Sequence, residues 1–222
     1  MIKMVVFDMA GTTINEDNLV YKTVQKALQA YGCEVDLPTV LSIAAGKEKR
    51  DAIRDVYRQV KGHAPDTKLL DNIHQYFKAH LNRAYEEETL KVFDDLPDVL
   101  STLKAKGVVR IFNTGYTEDV AQKILDKVGI TVGQDIEDLI TADMVANSRP
   151  APDMIQLAMD KWNCSALEVV KVGDSKIDIE EGQNAGVRYS LGITTGAQSR
   201  EELLTAAPDA VIDRITELLD YV

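Results

Sequence analysis

The chain has 222 residues, 45% of them hydrophobic and 27% charged, which fits one α/β domain with a sizeable insertion or two small domains. Its 25 Lys and Arg against 36 Asp and Glu give a formal charge of -11, which argues against nucleic acid and anionic membrane as partners and obliges any anionic substrate to find a local positive site. Two cysteines, Cys33 and Cys164, exclude a disulfide framework and a cysteine zinc site, and with no bilayer-length apolar run and no signal-peptide pattern the expected location is the cytoplasm.

Ile2 to Phe7 is a short apolar run that ends at Asp8, which predicts a buried parallel strand. From Glu16 to Glu88 the spacing turns helical. Leu19, Thr23, Leu28 and Tyr31 mark one helix, and a second follows Pro38. Ile53, Val56 and Val60 mark a third, and Leu70, Ile73, Phe77 and Leu81 a fourth. Gly32, Gly46 and the Gly62–Pro65 stretch punctuate them, and no strand is expected in this block. After it come a helix from Leu96 to Lys106, a strand at Val108–Phe112, a helix at 118–128 and a strand at Leu139–Thr141. A helix at 153–162, where Trp162 is expected to pack, a strand at Val169–Val172 and a helix at 177–185 follow. Weaker strands lie at Val187–Leu191 and Ala210–Ile212. This alternation predicts an α/β fold with a doubly wound parallel sheet. The core is expected from residues 1–15 and 89–222, with a helical cap, 16–88, inserted after the first strand.

In open parallel sheets ligands bind beyond the carboxyl ends of the strands, so those ends hold the candidates. The first ends in Asp8-Met9-Ala10-Gly11-Thr12-Thr13, and another in Asn113-Thr114-Gly115-Tyr116-Thr117. A later loop reads Ser148-Arg149-Pro150, and a further strand ends in Gly173-Asp174-Ser175-Lys176-Ile177-Asp178. Singly, each reads equally as a turn or a helix cap. Together they supply the parts of phosphoryl transfer. Asp8 can attack phosphorus, and Asp8 and Asp174 can hold Mg²⁺ through oxygen. Thr114 can donate its hydroxyl to a phosphoryl oxygen, with Gly115 and Tyr116 beside it, and Arg149 can neutralise developing charge. Lys176 is a second candidate for that cation.

These ordered segments, DMAGTT, NTGYT, SRPAP and VGDSKID, resemble the signatures of the haloacid dehalogenase (HAD) superfamily over nearly the whole chain. The resemblance implies a Rossmann-like core, a mobile cap and an aspartyl-phosphate intermediate on Asp8. It also implies Mg²⁺ bound by Asp8, Asp174 and the backbone carbonyl of Ala10, with Asp178 supporting the metal directly or from behind. By analogy with the family, the helix near Leu19–Tyr31 offers a face for a homodimer.

Most HAD phosphatases carry a second Asp where this chain has Ala10. A methyl group can neither protonate a leaving alkoxide nor activate water. A carbon leaving group needs no such acid. A lysine amine can condense with an aldehyde, and the protonated imine then accepts the electrons of a P–C bond. The segment Ala45-Gly46-Lys47-Glu48-Lys49-Arg50-Asp51-Ala52 resembles the cap of phosphonoacetaldehyde hydrolase (phosphonatase), in which the matching Schiff-base lysine is Lys49. Lys47 is the alternative in a shifted register. The cations Lys47 and Arg50 are expected to lower the pKa of Lys49. Three positions depart from that subgroup: Ala52 replaces a histidine implicated in proton transfer, Ala45 a methionine, and Met9 a tryptophan. The expected substrate is a small phosphonate or phosphorylated compound. A phosphomonoesterase, a haloacid dehalogenase and a non-catalytic phosphate-binding protein are the competing readings. The carboxylates at Asp174 and Asp178 argue against the dehalogenase, which needs no metal.

Overall fold

A computed structural model describes residues 1–222. In chain order the elements are β1 (Met4–Asp8), β2 (Ile14–Asn15), α1 (Leu19–Ala30), α2 (Leu37–Ala44), α3 (Lys49–Lys61), α4 (Thr67–Glu87) and β3 (Lys91–Val92). They continue as α5 (Leu96–Ala105), β4 (Val109–Thr114), α6 (Glu118–Val128), β5 (Asp138–Thr141), α7 (Asp153–Trp162) and β6 (Val169–Gly173). The last are α8 (Lys176–Ala185), β7 (Tyr189–Ile193), α9 (Arg200–Leu204) and β8 (Ala210–Ile212), before a closing 3₁₀ segment at Ile215–Tyr221.

Six strands form one parallel sheet in the order β5-β4-β1-β6-β7-β8. The chain runs outward from β1 through β4 to β5, then returns to the other side of β1 and runs outward again. This is the doubly wound plan, and it places β1 at the centre with helices on both faces. Every residue of β1 is buried, which is why its sequence reads as an unbroken apolar run. Its side chains alternate between two cores. Val5 and Phe7 join the larger one, with Leu96, Val99, Leu103 and Ile124 of α5 and α6. Met4 and Val6 join the smaller one, with Met154, Ile155 and Ala158 of α7.

The four helices α1–α4 pack on one another between β2 and β3. Three of their starts, those of α2, α3 and α4, are capped by side chains. Asp36 accepts from the Thr39 N–H at 2.9 Å, Glu48 from Asp51 N–H at 3.0 Å, and Asp66 from Leu69 N–H at 2.8 Å. In α3 the buried residues are Lys49, Ala52, Ile53, Val56 and Tyr57, an i, i+3, i+4, i+7, i+8 stripe. Lys49 therefore stands on the apolar inner face of the helix.

The structure departs from the sequence expectations in a few places. The penultimate strand lies at Tyr189–Ile193, two residues later than its apolar pattern suggests. The cause is the end of α8. Gly186 adopts φ 69°, its N–H bonds Gln183 O, and the Val187 N–H bonds Gly182 O at 3.2 Å. That Schellman closure ties Val187 to the helix and delays the strand. The second helix begins at Leu37 and takes Pro38 into its first turn, where a missing N–H costs nothing. A two-residue antiparallel pair, β2–β3, joins the two crossings between the helical block and the sheet. It is too short to leave a periodic signal. Trp162 closes α7 at the surface, 36% exposed, rather than packing in a core.

Phe7 is fully buried and meets Phe112 edge-on at a ring separation of 5.8 Å. Phe7→Ala should lower unfolding free energy by about 3–5 kcal/mol through the cavity it leaves. Urea denaturation is the measurement, and a cost well below that range would mean the central strand relaxes around the gap.

Candidate active site

The ends of β1, β4 and β6 lie side by side at one edge of the sheet, with Asp8 opposite Asn113 in register. Asp8 is the last residue of β1, and the chain turns sharply after it. Thr13 Oγ1 donates to Asp8 O at 3.0 Å, and the N–H groups of Thr13 and Ile14 both bond Met9 O at 2.9 Å. These bonds fix the backbone that aims the Asp8 carboxylate.

Arg149 sits under that carboxylate, 5% exposed, and its guanidinium is fully engaged. Nη1 donates to Asp8 Oδ1 at 2.6 Å and lies 2.8 Å from Asp178 Oδ1. Nε donates to Glu181 Oε2 at 3.0 Å. Nη2 donates to Asn113 O at 2.9 Å and Asn113 Oδ1 at 2.6 Å. Burial works against its charge, but Asp178, Glu181 and Asp8 outweigh that and raise its pKa above the ordinary value. Lys171, with no exposed surface, completes the network. Its Nζ donates to Asn113 Oδ1 at 2.6 Å and pairs with Asp178 Oδ1 at 3.1 Å and Glu181 Oε2 at 3.2 Å.

Asp174 follows β6, and its Oδ2 accepts from the Ala197 N–H at 2.6 Å. Oxygens of Asp8, Asp174 and Asp178 lie within 4.8 Å of one another. Burial raises the Asp174 pKa well above the usual carboxylate range, and the charges of Asp8 and Asp178 add to it. Asp8 is raised too, by burial and by Asp178, against the pull of Arg149 and Lys171. Asp178 goes the other way. Burial opposes its ionisation, but Arg149, Lys171 and the Ser175 hydroxyl hold it charged. With four carboxylates (Asp8, Asp174, Asp178, Glu181) facing two cations (Arg149, Lys171), the buried cluster carries excess negative charge when all are ionised.

The remaining sequence candidates close over this edge. Thr114 ends β4 one residue beyond the Asp8 register, and its Oγ1 accepts from the Tyr116 N–H at 3.3 Å. Gly115 backs onto the carbonyls of Gly46 and Lys47, where an added Cβ would stand 3.4 and 3.3 Å from their oxygens. Gly46 has φ 73°, and a Cβ there would come within 2.4 Å of Ser175 Oγ. The loop between α2 and α3 therefore rests backbone-first on the loops after β4 and β6. Ala10 borders a cavity of about 90 Å³ that it shares with Gly11, Glu16, Tyr21 and Thr195.

Lys49 enters from the start of α3, 7% exposed. Its Nζ donates to Lys47 O at 2.5 Å and lies 5.6 Å from the Tyr21 ring centre and 5.4 Å from that of Tyr116. Its pKa is lowered. Burial is the main cause, Glu48 and Asp8 oppose it, and Arg149 assists it. The expected cause was different, and the geometry corrects it: Lys47 is paired with Asp55 at 2.7 Å and Arg50 with Asp71 at 2.7 Å, each spent on its own carboxylate. Lys47 is also thereby drawn away from the site as an alternative nucleophile. Lys176 opens α8 and is only partly buried, while Arg149 holds the central position.

Sequence reading missed Lys171, Glu181, Asn113 and Glu16. Lys171 had a signal, a lone charge inside the run Val169-Val170-Lys171-Val172, since a charge in a buried strand requires partners. Glu181 lies three residues after Asp178 on α8, hence on the same face.

The family model described as haloacid dehalogenase-like hydrolase matches residues 5–192. The chain is 32% identical to a phosphonoacetaldehyde hydrolase of Latilactobacillus sakei over 96% of this chain and 81% of that protein. It is 26% identical to a putative pyrophosphatase PpaX of Clostridium perfringens over 100% of this chain and 98% of that one. The solved structure of a predicted phosphoglycolate phosphatase from Haemophilus somnus superposes with a TM-score of 0.82 at 18% identity, covering 99% and 97% of the two chains.

Lys171→Met should cost about 3–5 kcal/mol in stability, because Asp178 and Glu181 lose a cation in a buried setting. Adding Glu181→Gln should recover part of that loss, since the two residues are coupled. Urea unfolding of the single and double variants checks both statements. Additive costs would show that the network is not coupled.

Proposed function

The chain belongs to the haloacid dehalogenase-like hydrolase family, and from that premise we propose that it is a phosphonatase-like enzyme that cleaves the P–C bond of phosphonoacetaldehyde or a related small phosphonate. The observation that carries this reading is the buried, desolvated amine of Lys49 above a site whose acid position is Ala10. In this reading residues 16–88 act as the cap and residues 1–15 with 89–222 as the catalytic core.

Asp8 attacks phosphorus. The Thr114 hydroxyl and the backbone at Gly115 and Tyr116 receive the phosphonate oxygens, and Arg149 offsets their charge. Lys49 condenses with the aldehyde to give a protonated imine. As the Asp8 oxygen–phosphorus bond forms, the P–C bond breaks and its electron pair passes into the imine, leaving an enamine on Lys49. The enamine takes a proton from solvent at carbon to become the iminium of the product, and water then frees Lys49 from it and hydrolyses the aspartyl phosphate to phosphate. Burial of Lys49 favours the neutral amine that this condensation requires.

The donor set fits Mg²⁺. It is all oxygen, three carboxylates lie in mutual reach, and the cluster carries excess negative charge. Asp8, Asp174 and the Ala10 carbonyl would hold the ion. Asp178, committed to Arg149 and Lys171, would act from behind. Bound there, Mg²⁺ supplies the charge that lets an anionic carboxylate approach an anionic phosphonate.

A phosphatase acting through Asp8 on a phosphate ester or on pyrophosphate is the second reading. The pyrophosphatase relative, matched along the whole chain, favours it. Alanine at position 10 weighs against alkoxide leaving groups.

Phosphate release from phosphonoacetaldehyde with Mg²⁺ separates the two. Lys49→Ala and Asp8→Asn should each lower kcat by at least about 100-fold. Lys49→Arg should fail equally, because it keeps the charge without a condensing amine. A wild type that ignores this substrate yet hydrolyses esters or pyrophosphate independently of Lys49 decides for the phosphatase.

A second prediction concerns the metal. In the cation-free protein the folded pKa values of Asp8 and Asp174 lie above the unfolded ones, near 4 by the usual reference for Asp. The folded state then holds more protons than the unfolded one, so stability falls as pH rises from about 4 through the raised folded values. Asp178 is lowered and contributes the opposite slope, at still lower pH. Mg²⁺ binds the ionised pair and offsets the loss. The rise in Tm on adding Mg²⁺ should therefore be larger at pH 8 than at pH 5. Equal shifts at both would place the ion elsewhere.

A further inference from the structure

A phosphonatase reaction on this site needs a proton at Lys49 that none of the residues above supplies. Loss of water from the carbinolamine requires an acid at the departing hydroxyl, and return of the imine to aldehyde requires a base for the attacking water. Ala10 has no proton to give, and neither does Ala52. Arg149 and Lys171 are locked into the carboxylate network below.

One buried acid remains unused. Glu16 lies in the short segment between β2 and α1, 7% exposed. Its Oε2 accepts from Tyr85 Oη at 2.7 Å and from Tyr116 Oη at 3.3 Å. Its Oε1 meets only the Val20 N–H, at a long 3.4 Å. No cation pairs with it. It borders the cavity at Ala10 together with Tyr21, and its partner Tyr116 is one of the two rings that flank Lys49 Nζ. A buried carboxylate without a cationic partner is costly, and an amide could accept the same tyrosine hydrogen bonds, so a structural role alone does not call for glutamate.

We propose that Glu16 is the proton-transfer residue serving Lys49, an inference that rests on the phosphonatase-like reading. On the way in, the Glu16 carboxyl gives its proton to the carbinolamine hydroxyl. The C–O bond breaks, water leaves, the nitrogen lone pair forms the iminium, and Glu16 is left as carboxylate. On the way out, the enamine takes a proton from solvent at carbon to become the iminium of the product, water adds to it, and Glu16 takes a proton of that water. The carbinolamine then collapses to aldehyde and free amine, and Glu16 is again protonated. Its starting state suits the task. Burial raises its pKa, although the Tyr85 hydroxyl, the Val20 N–H, the Lys49 charge and the Tyr116 hydroxyl pull the other way. The titratable groups that face it are Tyr85 on α4, Tyr116 after β4, Lys49 on α3 and Tyr21 on α1.

The test is borohydride trapping. Wild-type protein is mixed with Mg²⁺ and either phosphonoacetaldehyde or acetaldehyde, then reduced over a time course, and Lys49 is assayed for the added alkyl group by peptide mass spectrometry. Glu16→Gln should label Lys49 at least about 100-fold more slowly. Glu16→Asp should regain part of the rate. Tyr85→Phe removes a donor to the carboxylate, so the alkaline fall of the labelling rate should move to higher pH, a change that loosened packing alone does not produce. Thermal unfolding checks that each variant is folded. Wild type that labels while Glu16→Gln labels at the same rate, or an alkaline limb that Tyr85→Phe leaves in place, overturns the role of Glu16 and leaves the phosphonatase reading standing. Wild type that takes no label from either aldehyde overturns both.

Discussion

Arg149 is the constraint from which the site is built. One guanidinium, removed from water, must satisfy its donors inside the protein, and it does so on β1, β4 and α8 at once through Asp8, Asn113, Asp178 and Glu181. Because those partners come from separate elements, the angle between them is set by a charge that cannot be left unpaired. Lys171 repeats the device from β6. Asp8 is thus held at its ends by a strand, a turn and a cation. Asp174, which no cation neutralises directly, is left as the electrostatically frustrated member of the group, and that is where a metal ion does the most.

Much of this arrangement could be read from the chain. The strand ends at Asp8, Asn113–Thr114 and Gly173–Asp174 were legible because a fully buried parallel strand is an apolar run, and a polar residue at its end has few places to go except the carboxyl edge. The inward aim of Lys49 was less so. It shares a segment with Lys47, Glu48 and Arg50, which looks like solvated charge until the i, i+3, i+4 stripe of α3 selects one of them. Glu16 gave no signal at all. It sits beside Asp17 between a two-residue strand and α1, and the approach of Tyr85 and Tyr116 from distant parts of the chain helps to bury it. The offset of β7 has a similar origin, since the Schellman bond that holds Val187 back depends on three-dimensional closure of a helix end.

The tyrosines deserve a place beside the charges. Tyr21, Tyr85 and Tyr116 are all buried, and burial raises each of their pKa values well above the ordinary phenol range. They therefore act as neutral hydroxyls and as aromatic walls. Tyr21 and Tyr116 flank Lys49 with a medium in which an ammonium is poorly solvated, and Tyr85 and Tyr116 give Glu16 hydrogen bonds without giving it a counter-ion. Such walls favour neutral forms of both groups, whereas salt bridges would fix them in their charged forms.

The chain crosses between the helical block and the sheet twice, near Ile14–Asn15 and near Lys91–Val92, and β2 and β3 bind the two crossings to each other. Two independent tethers would let the block twist, slide and tilt over the core. Fastened into one ribbon, they restrict those motions. An opening that kept the pair intact would pivot near that ribbon and would lift Gly46 and Lys49 from Ser175 and Tyr116 together.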